Sequence, residues 1–220
     1  MTPRNLKKTI ATAGAAEGIG PFTFTQAKGQ RLTYDSVLLA GFLPPLGKND
    51  AVVDLGTGSG VIPLILCSRS GAGRIVGVEV DGESAEIAGK NVRRNGLRAR
   101  VEIINRDWRE LKDVYPPGSF SVVVSNPPYM KRGEGRVSPA RQRALARYET
   151  AGTLSDLVEI SVYLAGASGR IFYVYPARRF EELILELEKR GIKPLRVAFA
   201  RTGGKNPKIF LIEAGKGAFN

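Results

Sequence analysis

The chain has 220 residues, 43% of them hydrophobic, which suits one globular domain with a sizeable core. Its 33 basic residues outnumber its 21 acidic residues, and the net charge of +12 favours a polyanionic partner, most simply a nucleic acid. The lack of histidine excludes a His-based triad and histidine metal ligands, and the single cysteine, Cys67, excludes an internal disulfide and a thiolate zinc site.

The sequence contains no apolar run of the length that a membrane span or a signal peptide requires. We therefore expect a soluble, cytoplasmic protein, which also agrees with the low cysteine content. Residues 1–20 are rich in Ala, Gly and Thr and are expected to be a weakly ordered lead-in. Together with a short hairpin and a helix packed on the core, they make up an expected N-terminal part, residues 1–45, before a main domain at 46–220.

Hydrophobic periodicity predicts strands and helices in alternation along the chain. The predicted hairpin joins residues 22–25 to residues 30–33, and the helix after it covers residues 34–43. Further strands are predicted at 51–55, 74–79, 100–104, 120–125, 169–175, 195–200 and 208–214. Further helices are predicted at 61–70, 84–95, 153–165 and 177–190, with a short turn at 108–112.

This alternation predicts an α/β fold with a doubly wound, mostly parallel, seven-stranded sheet of the Rossmann-like kind. The last two strands are joined by a short glycine-containing link, so they are expected to form an antiparallel hairpin at the C-terminus.

Residues 52–60, VVDLGTGSG, have the pattern of a strand, a glycine-rich turn and a helix start. Glycines allow the backbone to approach a ligand closely because they carry no Cβ. The G-x-G-x-G spacing of Gly56, Gly58 and Gly60 differs from the G-x-G-x-x-G of dinucleotide-binding folds. Asp54 would also repel a pyrophosphate, whereas an acid at this place suits a cationic amino acid moiety.

Acidic residues also follow the next two predicted strands. Glu79 can accept hydrogen bonds from both hydroxyls of a ribose, as an acid at this place does in dinucleotide folds. Asp107 can accept from an adenine amino group, with Trp108 or Ile104 against the ring. Taken alone, either acid is more simply explained as an exposed loop residue. Asp54, Glu79 and Asp107 in this order, each at the end of a strand, indicate a nucleoside with a charged amino acid tail, namely S-adenosylmethionine.

The tetrapeptide Asn126-Pro127-Pro128-Tyr129 follows an apolar predicted strand. Its two prolines fix φ and remove two backbone donors, so the remaining carbonyl oxygens and the Asn126 side chain can act as acceptors. Tyr129 adds a flat ring. This combination suits a planar amino group, although a strand that simply ends in a proline turn has the same residues.

With these motifs, the chain resembles class I S-adenosylmethionine-dependent methyltransferases over residues 30–214. The tetrapeptide is similar to that of members acting on planar amino groups. Among these, the chain most resembles the bacterial tRNA1(Val) adenine(37)-N(6)-methyltransferase family. The stretches that carry the similarity are residues 30–39, 126–129, 146–149, 176–180 and 205–215.

The resemblance implies transfer of a methyl group to the exocyclic amino group of an adenine in RNA, most simply tRNA near the anticodon, by a methyltransferase domain at 46–220. Asn126, Pro127 and Tyr129 are the implied catalytic residues: the Asn126 side-chain oxygen and the Pro127 carbonyl accept the two N–H bonds, and Tyr129 stacks on the base. No metal is expected. The candidate cofactor-binding residues are Tyr34, Asp35, Asp54, Gly56, Thr57, Gly58, Gly60, Glu79, Val80, Asp107, Trp108 and Asn126.

Residues 131–147 form a predicted irregular, strongly basic segment directly after the tetrapeptide. Such a segment is either solvated surface or a contact for RNA phosphates. The candidate RNA contacts are Lys131, Arg132, Arg136, Arg141, Arg143, Arg178 and Arg179. A monomer is expected.

Three other functions agree with the same motifs. A glutamine amide is also planar, so a protein glutamine N-methyltransferase of the release-factor type is one alternative, and an adenine in ribosomal RNA or DNA is another. The third is an RNA-binding domain that kept the fold without catalysis, although pure binding would need neither Asp54, Glu79 nor Asn126.

Overall fold

The computed structural model describes residues 17–19, 21–26, 34–127, 152–201 and 206–217. The strands are β1 (Glu17–Ile19), β2 (Phe22–Phe24), β3 (Ala51–Leu55), β4 (Arg74–Glu79), β5 (Val101–Asn105), β6 (Val122–Ser125), β7 (Arg170–Pro176), β8 (Lys193–Ala200) and β9 (Ile209–Gly215). The α-helices are α1 (Tyr34–Phe42), α2 (Val61–Arg69), α3 (Gly82–Arg94), α4 (Leu154–Ala165) and α5 (Phe180–Glu188). Short 3-10 helices cover Trp108–Asp113 and Ala177–Arg179.

Seven strands of the described residues form one sheet in the order β5-β4-β3-β6-β7-β9-β8. The pairs from β5 through β7 are parallel, and β9 lies antiparallel to both β7 and β8. The predicted fold class and the predicted C-terminal hairpin are therefore confirmed. Because β8 runs in the same direction as β7, the carboxyl ends of β3 to β8 all lie at one edge of the sheet, called here the carboxyl edge.

Both faces of the sheet are covered, which explains why its central strands are continuous apolar runs. Successive residues of a strand point to opposite faces, so neighbours such as Val52 and Val53 belong to different cores. One core packs against α1 and α2, and the other packs against α4 and α5. The central sheet is thus held rigidly from both sides, and the loops at its carboxyl edge begin from fixed positions.

Local capping explains two of the differences in helix boundaries. Helix α3 begins two residues earlier than predicted because the Asp81 side chain accepts from the backbone N–H of Ser84 at 3.0 Å. Helix α4 begins after a capping box in which the Thr153 backbone N–H donates to Asp156 at 2.8 Å. The helix predicted at 177–190 starts instead as the 3-10 helix and becomes α-helical at Phe180.

The N-terminal hairpin differs from its prediction. Strand β2 pairs antiparallel with β1, with Ile19 opposite Phe22, so part of the expected lead-in is an ordered strand. The predicted second arm, residues 30–33, lies outside the described residues. Across the described ranges, no helix combines the length and apolarity that crossing a membrane requires.

Candidate functional site

The glycine-rich loop after β3 wraps over the end of β4. The backbone N–H groups of Gly56 and Thr57 both donate to the Val78 carbonyl at 2.9 Å, and Gly60 donates to the Thr57 carbonyl at 3.0 Å. Gly56 and Gly60 have φ values of 78° and 82°, a region that favours glycine. A Cβ on Gly60 would lie 3.3 Å from the Cβ of Ala88, so α3 packs directly against the loop.

Asp54, the fourth residue of β3, lies under this loop with no exposed surface. Neither of its carboxylate oxygens has a hydrogen-bond partner among the described residues. Burial is the main reason why the pKa of Asp54 rises from 3.8 to about 7; the nearby Thr57 hydroxyl lowers it in part, and the charge of Glu79 raises it further. The Thr57 hydroxyl lies outside hydrogen-bond geometry. The site therefore contains a buried acceptor suited to a cation.

Glu79, the last residue of β4, is 1% exposed, but both its carboxylate oxygens are paired. One oxygen accepts from the Gly58 N–H at 2.8 Å and the other from the Asp81 N–H at 2.9 Å. Burial raises the pKa of Glu79, and these backbone donors offset part of that rise. A carboxylate has about four acceptor positions, so it keeps capacity for ligand hydroxyls. Val80, next along, is half-buried.

Asp107 follows β5, as predicted, but it is already paired with a neighbour. Its carboxylate accepts from the backbone N–H of Arg109 at 2.9 Å and from the Arg109 guanidinium at 3.0 Å. Burial alone would raise the pKa of Asp107, but the Arg109 hydrogen bonds and charge hold it below the usual value. Trp108 is buried in the core beside α4, and Ile104 is half-buried. Of these two candidates for the ring contact, Ile104 has more surface available.

Asn126 lies directly after β6 and is held by α1. Its side-chain Nδ2 donates to the Ser36 hydroxyl at 2.8 Å. The preceding Ser125 hydroxyl donates to the Leu55 carbonyl at 2.7 Å, which ties the ends of β6 and β3 together. Helix α1 thus carries Tyr34, Asp35 and Ser36 to the carboxyl edge. Sequence reasoning missed the role of Ser36, although it lies within the stretch 30–39 that carries the resemblance.

Two asparagines that the sequence analysis did not select support the loops from behind. Asn91, on α3, is fully buried and donates to the carbonyls of Ser59 and Thr25, each at 2.8 Å. Asn105, which ends β5, donates to the carbonyls of Glu79 at 2.8 Å and Val80 at 3.1 Å. Both side chains hold backbone carbonyls of loops that carry candidate ligand contacts.

The two described candidates for RNA contact differ. Arg178 is exposed. Arg179 is only 11% exposed: it pairs with Glu182 through two hydrogen bonds of 2.8 Å and lies over the Tyr175 ring at 4.8 Å. Those contacts argue against Arg179 as a phosphate ligand. The other sequence candidates, Tyr129, Lys131, Arg132, Arg136, Arg141 and Arg143, lie outside the described residues.

Comparisons with known proteins show which family this chain is similar to. The model of the methyltransferase small domain family matches residues 28–149. A tRNA1(Val) (adenine(37)-N6)-methyltransferase of Porphyromonas gingivalis is 32% identical over 189 residues, which are 83% of this chain and 73% of that protein. A protein of the same name from Photobacterium profundum is 26% identical over 196 residues, covering 84% of this chain and 80% of its own.

Among solved structures, a predicted O-methyltransferase of Agrobacterium tumefaciens aligns with a TM-score of 0.63. It is 19% identical, and the match covers 82% of this chain and 79% of that chain. A likeness at this level of identity concerns the fold alone.

Proposed function

Because this chain belongs to the methyltransferase small domain family and, within it, to the tRNA1(Val) (adenine(37)-N6)-methyltransferases, we propose that it methylates tRNA. The reaction is transfer of a methyl group from S-adenosylmethionine to the exocyclic amino group of an adenine. The observation that carries the proposal is the position of Asn126, held by Ser36 at the same edge of the sheet as the loop that covers Asp54.

The residues at the carboxyl edge fit S-adenosylmethionine as cofactor. Asp54 is a buried carboxylate whose oxygens have no partner among the described residues, and the ammonium of the amino acid tail would satisfy it. Space over Gly56, where an added Cβ would meet nothing within 4 Å, leaves room for a ligand. Glu79 would accept from the ribose hydroxyls. When bound, the cofactor supplies a methyl group already activated by a sulfonium.

The residues of the chain act mainly by positioning. Asn126 and the Pro127 carbonyl would accept the two N–H bonds of the adenine amino group and fix the direction of its lone pair. Positioning of this kind can contribute several kcal/mol, up to about 7–11 in ideal intramolecular cases. An adenine in a single-stranded loop leaves its stack at low cost, which favours a loop of tRNA over a duplex.

The substrate class is tested with labelled cofactor. The protein is incubated with labelled S-adenosylmethionine and with total tRNA or total protein from a strain lacking the enzyme, and labelled nucleosides are separated. Label in N6-methyladenosine is the expected result. Label in protein instead, at glutamine, contradicts the proposal and favours the release-factor type of activity.

The role of Asn126 is tested by Asn126→Ala. We expect turnover to fall about 10²–10³-fold, as when one preorganised polar group is removed from an active site. The dissociation constant for S-adenosylmethionine, measured by calorimetry, should change by less than about twofold. Ser36→Ala leaves the Asn126 amide in place and removes one group that orients it, so it should reduce turnover less. Wild-type turnover in Asn126→Ala would exclude this role.

A further inference from the structure

Phe199 is an exposed aromatic residue near the end of the edge strand β8. It is 53% exposed, and among the described residues the other large aromatic side chain with comparable exposure is Tyr34. Strand β8 runs parallel to β7, so Phe199 lies toward the carboxyl edge, where Asn126 also lies. About half of the surface of this side chain stays in water, and that half contributes nothing to folding through burial. Its position near the candidate site therefore suggests another role.

Strand register places Phe199 at the carboxyl edge, at about the same level along the sheet as Asn126; its ring lies on the face covered by α5, whereas Asn126 contacts α1 on the other face. Tyr175 on β7 and Phe199 on β8 both pair with Phe210 on β9, while Ser125, next to Asn126, pairs with Tyr173. Strands β7 and β9 separate β6 from β8, so the distance across the sheet is about 14 Å at the usual strand spacing. A single-stranded RNA segment spans this distance in a few nucleotides.

The Phe199 ring is held in place from below by other aromatic rings. Its centroid lies 5.4 Å from that of Phe180 and 6.0 Å from that of the fully buried Phe210. Ring contacts of this kind restrict the ring without covering it. The result is a supported aromatic surface that faces solvent.

Basic residues lie at the same end of the strands as this surface. Arg201, the residue after β8, is exposed, and so is Lys208 on the opposite side of the hairpin link. The backbone of Lys208 is fixed at the carboxyl edge by two hydrogen bonds. Its N–H donates to the Ala200 carbonyl at 3.2 Å, and its carbonyl accepts from the Ala177 N–H at 2.9 Å. Arg178 is a third exposed cation, while one exposed acid, Glu181, lies at the start of α5. The net charge of these exposed residues is therefore positive.

We propose that Phe199 stacks on an unpaired base of the tRNA substrate, a few nucleotides from the methylated adenine, while Arg201 and Lys208 bind the neighbouring phosphates. An aromatic ring with flanking cations is the usual combination for single-stranded nucleic acid, because every base offers a flat face and the backbone is anionic. This inference rests on the proposed function, and it adds a second contact that sets which adenine reaches Asn126.

The test measures the KM for tRNA in a series of variants at one position. Phe199→Ala and Phe199→Leu should both raise this KM about tenfold, since stacking on a base is lost in each. Phe199→Trp keeps a flat ring and should stay within about twofold of wild type. The turnover number at saturating tRNA and the dissociation constant for S-adenosylmethionine should not change.

Two control positions lie on the same strand, and Val197 also lies on the same face as Phe199. Leu195 and Val197 are 37% and 36% exposed, further from the carboxyl edge. Leu195→Ala and Val197→Ala should leave the KM for tRNA unchanged. Thermal unfolding of every variant shows whether any change in KM arises from lost structure, and the Leu variant keeps the apolar volume if the Ala variant is unstable.

The outcomes separate this inference from the proposed function. If wild-type protein forms no N6-methyladenosine in tRNA, the proposed function fails. If wild type is active and Phe199→Leu keeps its KM, the stacking role is wrong. Sedimentation of wild type and Phe199→Ala tests whether a second copy of the chain covers this surface instead. If wild type is a dimer and the substitution dissociates it, the surface is an interface between two copies and the inference is wrong.

Discussion

Asp54 shows how a single side chain can be kept for a ligand at a cost to stability. Its carboxylate is fully buried, and burial raises its pKa to about 7, so above this pH the ligand-free protein carries a buried charge that has no partner among the described residues. In the unfolded chain the same group ionises near its ordinary pKa of 3.8. Between these values the folded state binds more protons, so the contribution of Asp54 to the stability of the ligand-free protein should fall as pH rises from about 4 to about 7 and level off above that.

Asp54→Asn should therefore have a pH-dependent effect on stability. At pH 8 the ligand-free variant should be more stable than wild type by about 1–3 kcal/mol, since the unsatisfied charge is gone. At pH 5 Asp54 is protonated in folded wild type but already ionised in the unfolded chain, so the difference should be smaller than at pH 8, and it should vanish only below the unfolded pKa of 3.8. The same substitution should weaken binding of S-adenosylmethionine, measured by calorimetry at pH 8. An equal difference in stability at both pH values would contradict this account of Asp54.

Individual site residues could be predicted from the sequence where their position relative to a predicted strand was sufficient evidence. Asp54, Glu79 and Asn126 each lie at or near the end of an apolar strand, and parallel strands bring such ends to one edge. The Asn126–Ser36 contact joins residues 90 positions apart, and no local pattern predicts it. The pairing of Arg179 with Glu182 spans three residues on one turn, so sequence spacing could have revealed it.

At the scale of elements, the strands and helices were predictable because each has a clear period and a clear end. The hairpin β1–β2 was not, because three-residue strands carry too little pattern. It is held instead by Asn91 on α3 and Asn95 directly after it. The Asn91 side chain forms hydrogen bonds with both the N–H and the carbonyl of Thr25, and the Asn95 side chain does the same with Thr23. Side chains at the end of α3 therefore satisfy backbone groups of the hairpin that a third strand would otherwise pair with.

The two asparagines make a matched pair for the next prediction. Both hold the hairpin, but only Asn91 also donates to Ser59 in the glycine-rich loop. Asn91→Ala should therefore raise the dissociation constant for S-adenosylmethionine about three- to tenfold, the effect of one net hydrogen bond. Asn95→Ala should leave it within about twofold. Calorimetric titration of both variants measures the difference.

Thermal unfolding of the same two variants is the control for structure. Both should lose some stability, and Asn91→Ala should lose more because Asn91 is fully buried. If Asn91→Ala proves unstable, Asn91→Ser keeps a smaller polar group and should show an intermediate affinity. Equal cofactor affinity in Asn91→Ala and Asn95→Ala would mean that the Ser59 contact has no effect on the site.

For the whole molecule, the net charge of +12 predicted a polyanionic partner but not where it binds. The inference about Phe199 supplies a location, because Arg201 and Lys208 lie at the ends of β8 and β9 at the carboxyl edge. Exposed cations elsewhere make a useful contrast: Lys48 and Arg98 precede β3 and β5, so they lie toward the opposite edge of the sheet. Total charge attracts RNA from a distance, whereas only cations beside bound phosphates release counterions on binding.

This contrast predicts different salt dependences for two variants of equal charge. Removing both edge cations, with Arg201→Gln and Lys208→Gln, should reduce the slope of log affinity for tRNA against log salt by about one to two. Lys48→Gln with Arg98→Gln removes the same charge and should leave the slope near wild type. Filter binding of tRNA at several salt concentrations measures both slopes. Equal reductions in the two variants would mean that net charge, rather than the carboxyl edge, governs the interaction with tRNA.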